Sequence, residues 1–508
     1  MTSAKMRQLD SPILFTGMRS AVDASEVPLL DVIRSLAFVG DLSMGQPTDH
    51  SPRAAWMAGQ LAKAMGADGI ACAQATTVAL LRWSGCTANA PEFAQLFGDD
   101  VSGRKALLAI QSSGSGFRAG TDRKGSAFLS LSRIHCEVAG DIAVQLGLDE
   151  ATQFALRHLF ESHDGTGAPD GLRGAQIPYS VYLASLAGDL EIFNRLYGLE
   201  QACSLIGQRA GALYPRDLAE SVVAHAAPWL AALDDDPTLS GPCSLDAPFA
   251  GRKTSLEILA HVIDLKLPWM TGYSRQVAEL SRSTALGLGL DAARRQQVYR
   301  AALIHGMGRA SVPNMIWDTP GRLAASAWER ARLVPYWTGR AARQIGSLAV
   351  EAEIASYVYE RQDGSGYFRE TKSAHIPAEG RILAAAAALA SLRCARPWRD
   401  AFAEEAAHAT LLAEATAGRF DTDVVHALLD KRRPAAARIP SKPFDALLTD
   451  RERDVLRWIS LGASNKMVAQ KLSISPSTVR THVESVFRKL DSTTRAAATL
   501  KATQLGLL

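Results

Sequence analysis

The chain has 508 residues, 47% of them hydrophobic and 21% charged, enough for about three domains of ordinary globular composition rather than a disordered or fibrous chain. A net charge of +3 excludes a polyanion-binding surface spread over the whole molecule. Six cysteines at irregular spacing, without a Cys-x-x-Cys pair, argue against a disulfide frame or a zinc site and for reduced thiols. The N-terminus lacks a charged-then-apolar leader pattern, and the apolar run Ile382 to Ala390 is too short to cross a bilayer. A cytoplasmic protein without a membrane partner is expected.

In chain order the readable elements are helices. Residues 1–28 read as an N-terminal extension and 29–240 as a first domain. That domain carries Asp49-His50-Ser51, then Leu81-Arg82-Trp83-Ser84-Gly85, then Asp164-Gly165-Thr166-Gly167 ahead of Ile177-Pro178. A Pro-rich break from Asp236 to Pro248 separates it from a second domain over 250–432. There, Leu256, Leu259, Ala260 and Ile263 share one helical face, and Val277, Leu280 and Leu288 share another.

The second domain repeats the landmarks of the first. Gly272-Tyr273-Ser274 and Ile304-His305-Gly306-Met307-Gly308 stand 223 residues after their counterparts. Asp363-Gly364-Ser365-Gly366 and Ile376-Pro377 stand 199 residues after theirs. The first half therefore holds 24 extra residues, an insertion near 87–130, whose Gly/Ser-rich part from Gln111 to Gly125 reads as a loop. The paired glycines 165, 167, 364 and 366 suit a tight turn needing positive φ.

A linker over 433–443 leads to a tail domain, 444–508. From Ala446 onward the tail has ten Lys and Arg against five Asp and Glu, so the basic excess of the chain is concentrated here. Thr449 and Glu452 form a capping box, Val455, Leu456 and Ile459 an inward face, and Gly462 a helix stop. Ser464 opens a second helix with Val468, Ala469 and Leu472, and Ser473-Ile474 makes a turn. Ser475 caps a third helix with Pro476 at its first position, buried along Val479, Val483, Val486, Phe487 and Leu490. The opposite face presents Thr478, Arg480, Thr481, Ser485 and Arg488. A fourth helix, Thr494 to Leu507, is Ala-rich on one side.

This tail resembles the LuxR-type helix-turn-helix over its whole length, from Leu448-Thr-Asp-Arg-Glu-Arg-Asp-Val-Leu-Arg through Gly462-Ala-Ser-Asn-Lys-Met-Val-Ala to Leu472-Ser-Ile-Ser-Pro-Ser-Thr-Val-Arg-Thr-His-Val. The resemblance implies double-stranded DNA as the partner, with the third helix in the major groove. Lys466, Thr478, His482 and Lys489 are then placed for phosphates, and Arg480 for a guanine edge. It also implies dimerisation through the fourth helix, so a homodimer is expected. Neither a receiver domain nor an acyl-homoserine-lactone domain is legible.

The stretches Thr271-Gly-Tyr-Ser-Arg-Gln-Val-Ala, Ala302-Leu-Ile-His-Gly-Met-Gly-Arg-Ala-Ser-Val-Pro-Asn and Tyr359-Glu-Arg-Gln-Asp-Gly-Ser-Gly-Tyr resemble the HD-GYP phosphohydrolases, with the first half a more diverged copy. That family's resemblance implies His and Asp side chains holding two or three metal ions that cleave cyclic di-GMP. Here most donor positions are replaced. In the second half they fall on Tyr273, His305-Gly306, Val334, Val358-Tyr359 and Ala387, with Arg309 for the usual Lys. In the first half His50 and His135 remain, beside Arg82-Trp83, Leu159-Phe160 and Gly188. His163 is a further candidate ligand. A stable site needs several converging donors, so His50, His135 and His305 read foremost as buried histidines bonded to backbone carbonyls and as vestigial metal candidates second.

The expectation is an all-α chain, two HD-GYP-like helical domains and a four-helix LuxR-type tail, acting as a transcription regulator without catalytic residues, metal or cofactor. The HD-GYP-like halves would serve dimerisation or capture a small molecule or nucleotide, with Arg361 a candidate contact. The competing expectation is a metal-dependent cyclic-dinucleotide phosphohydrolase with an accessory DNA-binding domain.

Overall fold

A computed structural model describes residues 25–112, 123–236, 249–343, 346–372, 375–430 and 447–508. Most of residues 1–28 and the whole linker 433–443 lie outside this range. The architecture is all-α apart from two short strands. β1 (Glu26–Pro28) pairs antiparallel with β2 (Lys253–Ser255), with Val27 opposite Thr254. The segment that opens the first half is thus tied to the segment that opens the second, a long-range pairing without a period-2 signal in either strand.

The first half is built on α1 (Leu29–Ser43), α2 (His50–Ala64), α3 (Gly69–Leu81), α4 (Arg123–Gln145) and α5 (Tyr179–Tyr197). α2 packs on α3 and α5. The second half uses α6 (Glu257–Asp264), α7 (Tyr273–Gly287), α8 (Ala292–Ile304) and α9 (Ala378–Arg393), with α7 against α8 and α9.

Corresponding residues of the two halves make the same hydrogen bonds. Asp68 caps α3 through the Ala71 N–H, and Asp291 caps α8 through the Arg294 N–H. Asp41 accepts from the Ser51 N–H and hydroxyl, and Asp264 does so from Ser274. Glu161 accepts the N–H groups of Asp170 and Leu172, and Glu360 those of Arg369 and Thr371. Gly165 and Gly364 sit at φ +80° and +83°, where a side chain would be strained. The repeat read from sequence offsets is therefore repeated in detail by the backbone and its partners.

One apolar core runs through both halves, with Leu36, Leu61, Leu80, Leu259, Ala302 and Leu303 all buried. The Gln111–Gly125 segment departs from the expected loop at both ends. A helix, Asp100–Ser112, runs into it, and α4 already begins at Arg123. The packing of the adjoining helices accounts for this, since Leu108 upstream and Leu131, Ile134, Val138 and Ile142 downstream are buried. The centre of that segment lies outside the described residues.

The tail comprises α10 (Asp450–Ser460), α11 (Asn465–Leu472), α12 (Pro476–Lys489) and α13 (Arg495–Gln504) around its own core of Val455, Leu456, Val468, Val479, Val486 and Ala498. Its fourth helix is shared. Ala497 and Leu500 are fully buried and belong to the core of the two halves. α13 packs on α4, the Lys501 ammonium lies 3.6 Å from Asp141, and the Thr493 hydroxyl donates to Glu137 at 2.9 Å. No helix among the described residues is long and apolar enough to cross a membrane.

Candidate nucleic-acid interface and candidate ligand cavity

The tail helices begin where their caps dictate. The Thr449 and Glu452 side chains satisfy each other's backbone N–H groups, Ser464 accepts from the Met467 N–H, and Ser475 accepts from the Thr478 N–H. Ser473 adopts a left-handed conformation, φ 52°, at the tight turn between α11 and α12. Two helices joined this way, the second with an apolar inner stripe and a polar outer one, form the frame that lays α12 along a groove.

On that outer face Thr478, Arg480, Thr481 and Arg488 are exposed, as is Lys466 on α11, and His482 is half-buried beside them. The Arg480 side chain is 77% exposed and pairs with Glu484 at 2.9 Å, an exchangeable surface contact. Ser485 and Lys489 are turned inward. Both donate to Glu452, at 2.7 and 2.6 Å, and so hold α12 on α10 rather than standing free for DNA. Burial raises the Glu452 pKa, but the bonds from Lys489, Ser485 and Thr449 dominate and hold it at about 2.

In the first half Arg82, at one of the positions that the resemblance assigns to metal donors, belongs to an ion network. The Arg82 guanidinium lies 3.9 Å from Asp189, which also meets Arg209 and the Tyr214 hydroxyl at 3.2 Å each. Gly188 makes room for it, because a Cβ there would stand 2.3 Å from Arg82 Nη1. His135 bonds the Arg82 carbonyl at 2.8 Å, and burial lowers its pKa to about 3, so the ring is neutral. His50 departs from the expected carbonyl partner and meets the Glu191 carboxylate at 2.7 Å. Burial works against its charge and Glu191 outweighs that, so the His50 pKa is raised. Burial also drives Asp41 up to about 7. His163 bonds the Tyr182 hydroxyl. Sequence reasoning did not find Asp41, Asp189 or Glu191 as partners. The Asp-to-Ser spacing of ten, shared by Asp41/Ser51 and Asp264/Ser274, was the available signal for the first of them.

In the second half His305 donates from Nδ1 to the Ala302 carbonyl at 2.6 Å and accepts from Arg309 at Nε2, 2.8 Å away. Burial and the adjacent Arg309 hold its pKa at about 3. Both ring nitrogens are thus occupied. Tyr273 stands where the first donor would be and bonds the Ala387 carbonyl at 3.0 Å. Val334 and Val358 are buried and apolar. These residues do not fit a metal cage: among the described residues no group of three or more His, Cys, Asp or Glu side chains is placed to hold a metal ion.

The space beside them is instead a cavity of about 1120 Å³ lined by Tyr273, Arg309, Tyr359, Arg361, Ala387 and Arg396, among others. The Arg361 guanidinium lies 4.4 Å from the Phe420 ring centroid and that of Arg396 4.4 Å from Trp269. Burial lowers both of their pKa values.

Residues 257–424 match the HD domain family model, and residues 446–502 match that of bacterial regulatory proteins of the luxR family. The chain is similar to the 3′3′-cGAMP-specific phosphodiesterase 3 of Vibrio cholerae, 25% identical over 412 residues, 75% of this chain and 90% of that protein. The tail is similar to the nitrate/nitrite response regulator protein NarP of Escherichia coli, 47% identical over 58 residues, 11% of this chain and 26% of that protein. A crystal structure of a cyclic GMP-AMP specific phosphodiesterase from V. cholerae superposes with a TM-score of 0.57 at 22% identity, covering 79% of this chain and 97% of that one, which shows a shared fold. The chain carries an HD domain over 257–424 and, over 446–502, a domain of the luxR family of bacterial regulatory proteins.

Proposed function

We propose that this protein is a sequence-specific double-stranded-DNA-binding transcription regulator whose HD-type halves act as a non-catalytic receptor or dimerisation body. The observation that carries the reading is the complete tail, with its three capped helices and an outer α12 face of Thr478, Arg480, Thr481 and Arg488 open to solvent. Lys466 and His482 flank that face and suit phosphate contacts, which set register and not sequence. Support for a silent HD body comes from the donor positions, held by Tyr273, Gly306, Val334, Val358, Tyr359 and Ala387 in one half and by Arg82, Trp83, Leu159, Phe160 and Gly188 in the other.

The test is selection of bound sequences from a random duplex library, followed by gel shift. Arg480→Ala is expected to lose about 1–3 kcal/mol and relax specificity at one base pair, and Lys466→Ala to weaken all sequences alike and flatten the salt dependence by about one unit of slope. Unchanged binding in both variants overturns the assignment.

The similarity to cyclic-dinucleotide phosphodiesterases over 412 residues favours a second reading, a metal-dependent phosphohydrolase with an accessory DNA-binding tail. Hydrolysis of 3′3′-cyclic GMP-AMP or cyclic di-GMP with added Mn²⁺ or Fe²⁺, abolished in His305→Ala, would establish it; no turnover with either metal leaves the receptor reading.

A further inference from the structure

The two halves place their buried arginines in different surroundings. In the first, the Arg82 and Arg209 guanidinium groups share Asp189 as a carboxylate partner, and the Tyr214 hydroxyl bonds the same carboxylate. In the second, positive charge is left open. Among the described residues no carboxylate lies within 4.0 Å of the Arg361 or Arg396 guanidinium, whose hydrogen bonds run to the Glu360 carbonyl and the Ser391 hydroxyl. Glu414, the acid in the lining, is paired with Arg419.

Arg309 is 2% exposed, and its Nη1 has no hydrogen-bond partner, with Asp264 3.7 Å away. Trp317 Nε1, also in the lining, is a second buried donor without a partner. Buried donors and uncompensated guanidinium groups are costly, and a ligand with acceptor oxygens relieves them. Arginine forks match phosphate in bidentate fashion. Flat rings stand in the same lining, among them Trp269, Trp328, Tyr359 and Tyr367, and are suited to stacking a planar group.

We propose that this cavity is a metal-independent site for a nucleotide-class ligand, a flat ring bearing two or more negative charges, held by Arg309, Arg361 and Arg396 beside the positions that the HD-GYP resemblance assigns to metal donors. The proposal rests on the receptor reading above. The site has a neighbour in the tail. Trp269 and Met270 form its wall, and the adjoining Pro268 and Thr271 touch the tail, with the Thr271 hydroxyl donating to the Ser460 carbonyl at 2.9 Å.

The experiment uses the full chain in EDTA, with tryptophan fluorescence and calorimetry as readouts. The probes are 3′3′-cyclic GMP-AMP, GMP, guanosine and inorganic phosphate. A nucleotide is expected to bind and change the tryptophan signal, with guanosine and phosphate each weaker by about tenfold or more, since each supplies half of the recognition. Arg361→Gln and Arg396→Gln are expected to weaken nucleotide binding by about tenfold or more. Thermal melts identify a variant that has lost its fold. Arg396→Lys then decides: it keeps the charge and removes the fork, so similar weakening supports the site and unchanged affinity overturns it. Failure of every nucleotide to bind in EDTA also overturns it. Gel shift on the same preparations separates the two readings, because retained DNA binding without nucleotide binding sinks the site and spares the regulator, and the converse does the reverse.

Discussion

Glu452 shows how one side chain serves two elements. It closes the capping box with Thr449 and receives Ser485 and Lys489 from α12, so its carboxyl titrates at about 2, below the usual 4.5. A depressed carboxyl contributes stability that is full above the unfolded value and lost as pH falls toward the folded one. The stability gap between wild type and Glu452→Gln is therefore expected to be constant at neutral pH and to close between about 4.5 and about 2; urea unfolding at stepped pH reads it, and a gap that persists at pH 2 refutes the linkage. Gly366 is constrained differently. A Cβ there would lie 2.3 Å from the Arg361 backbone nitrogen, as one at Gly167 would from that of Ser162. Gly366→Ala is expected to destabilise the second half by about 1–3 kcal/mol, seen as a lower denaturation midpoint.

At the scale of the element, caps set the tail's helices. Ser464 and Ser475 each satisfy a first-turn N–H that the helix itself leaves open. Replacing either by Ala is expected to cost about 1 kcal/mol, read as a lowered melting temperature of the full chain. The Ser475 variant is expected to carry the larger effect on DNA affinity, since α12 holds the residues proposed to face DNA; equal affinity in the two variants contradicts this. α13 was expected to serve a second copy. Its Ala497 and Leu500 instead lie in the core of the chain's own halves, so a dimer through that face requires α13 to leave it.

For the molecule as a whole, the tail is docked by its fourth helix and leaves the outer face of α12 in solvent. The docking combines buried Leu500 and Ala497 with an exposed hydrogen bond at Glu137 and the Lys501 pair with the buried Asp141. Desolvation of the buried Asp141 offsets much of what its pairing with Lys501 contributes, whereas burying one leucine contributes about 1.5–3 kcal/mol, so the apolar contact dominates. Leu500→Glu, which would place an unpaired carboxylate in the core, is expected to release the tail. Hydrogen exchange of the α13 and α4 amides should quicken severalfold while α12 stays protected by its own core, and unchanged exchange in both helices rules out this arrangement of forces.

The sequence by itself determined the tail almost completely. Caps at Thr449, Ser464 and Ser475, the stop at Gly462 and the stripe of Val479, Val483 and Val486 are local signals, set by interactions within a few residues. It also determined the repeat, because equal offsets place equal turn chemistry at Asp164 and Asp363. Tertiary structure alone decided which partners the buried charged and polar groups found. Whether Arg82 finds Asp189, whether His50 meets a carbonyl or Glu191, and whether Arg361 and Arg396 find any acid depends on residues far apart in the chain. It likewise decided that β1 pairs with β2 and that α13 packs on α4, since helical periodicity shows that a face is apolar but not what covers it.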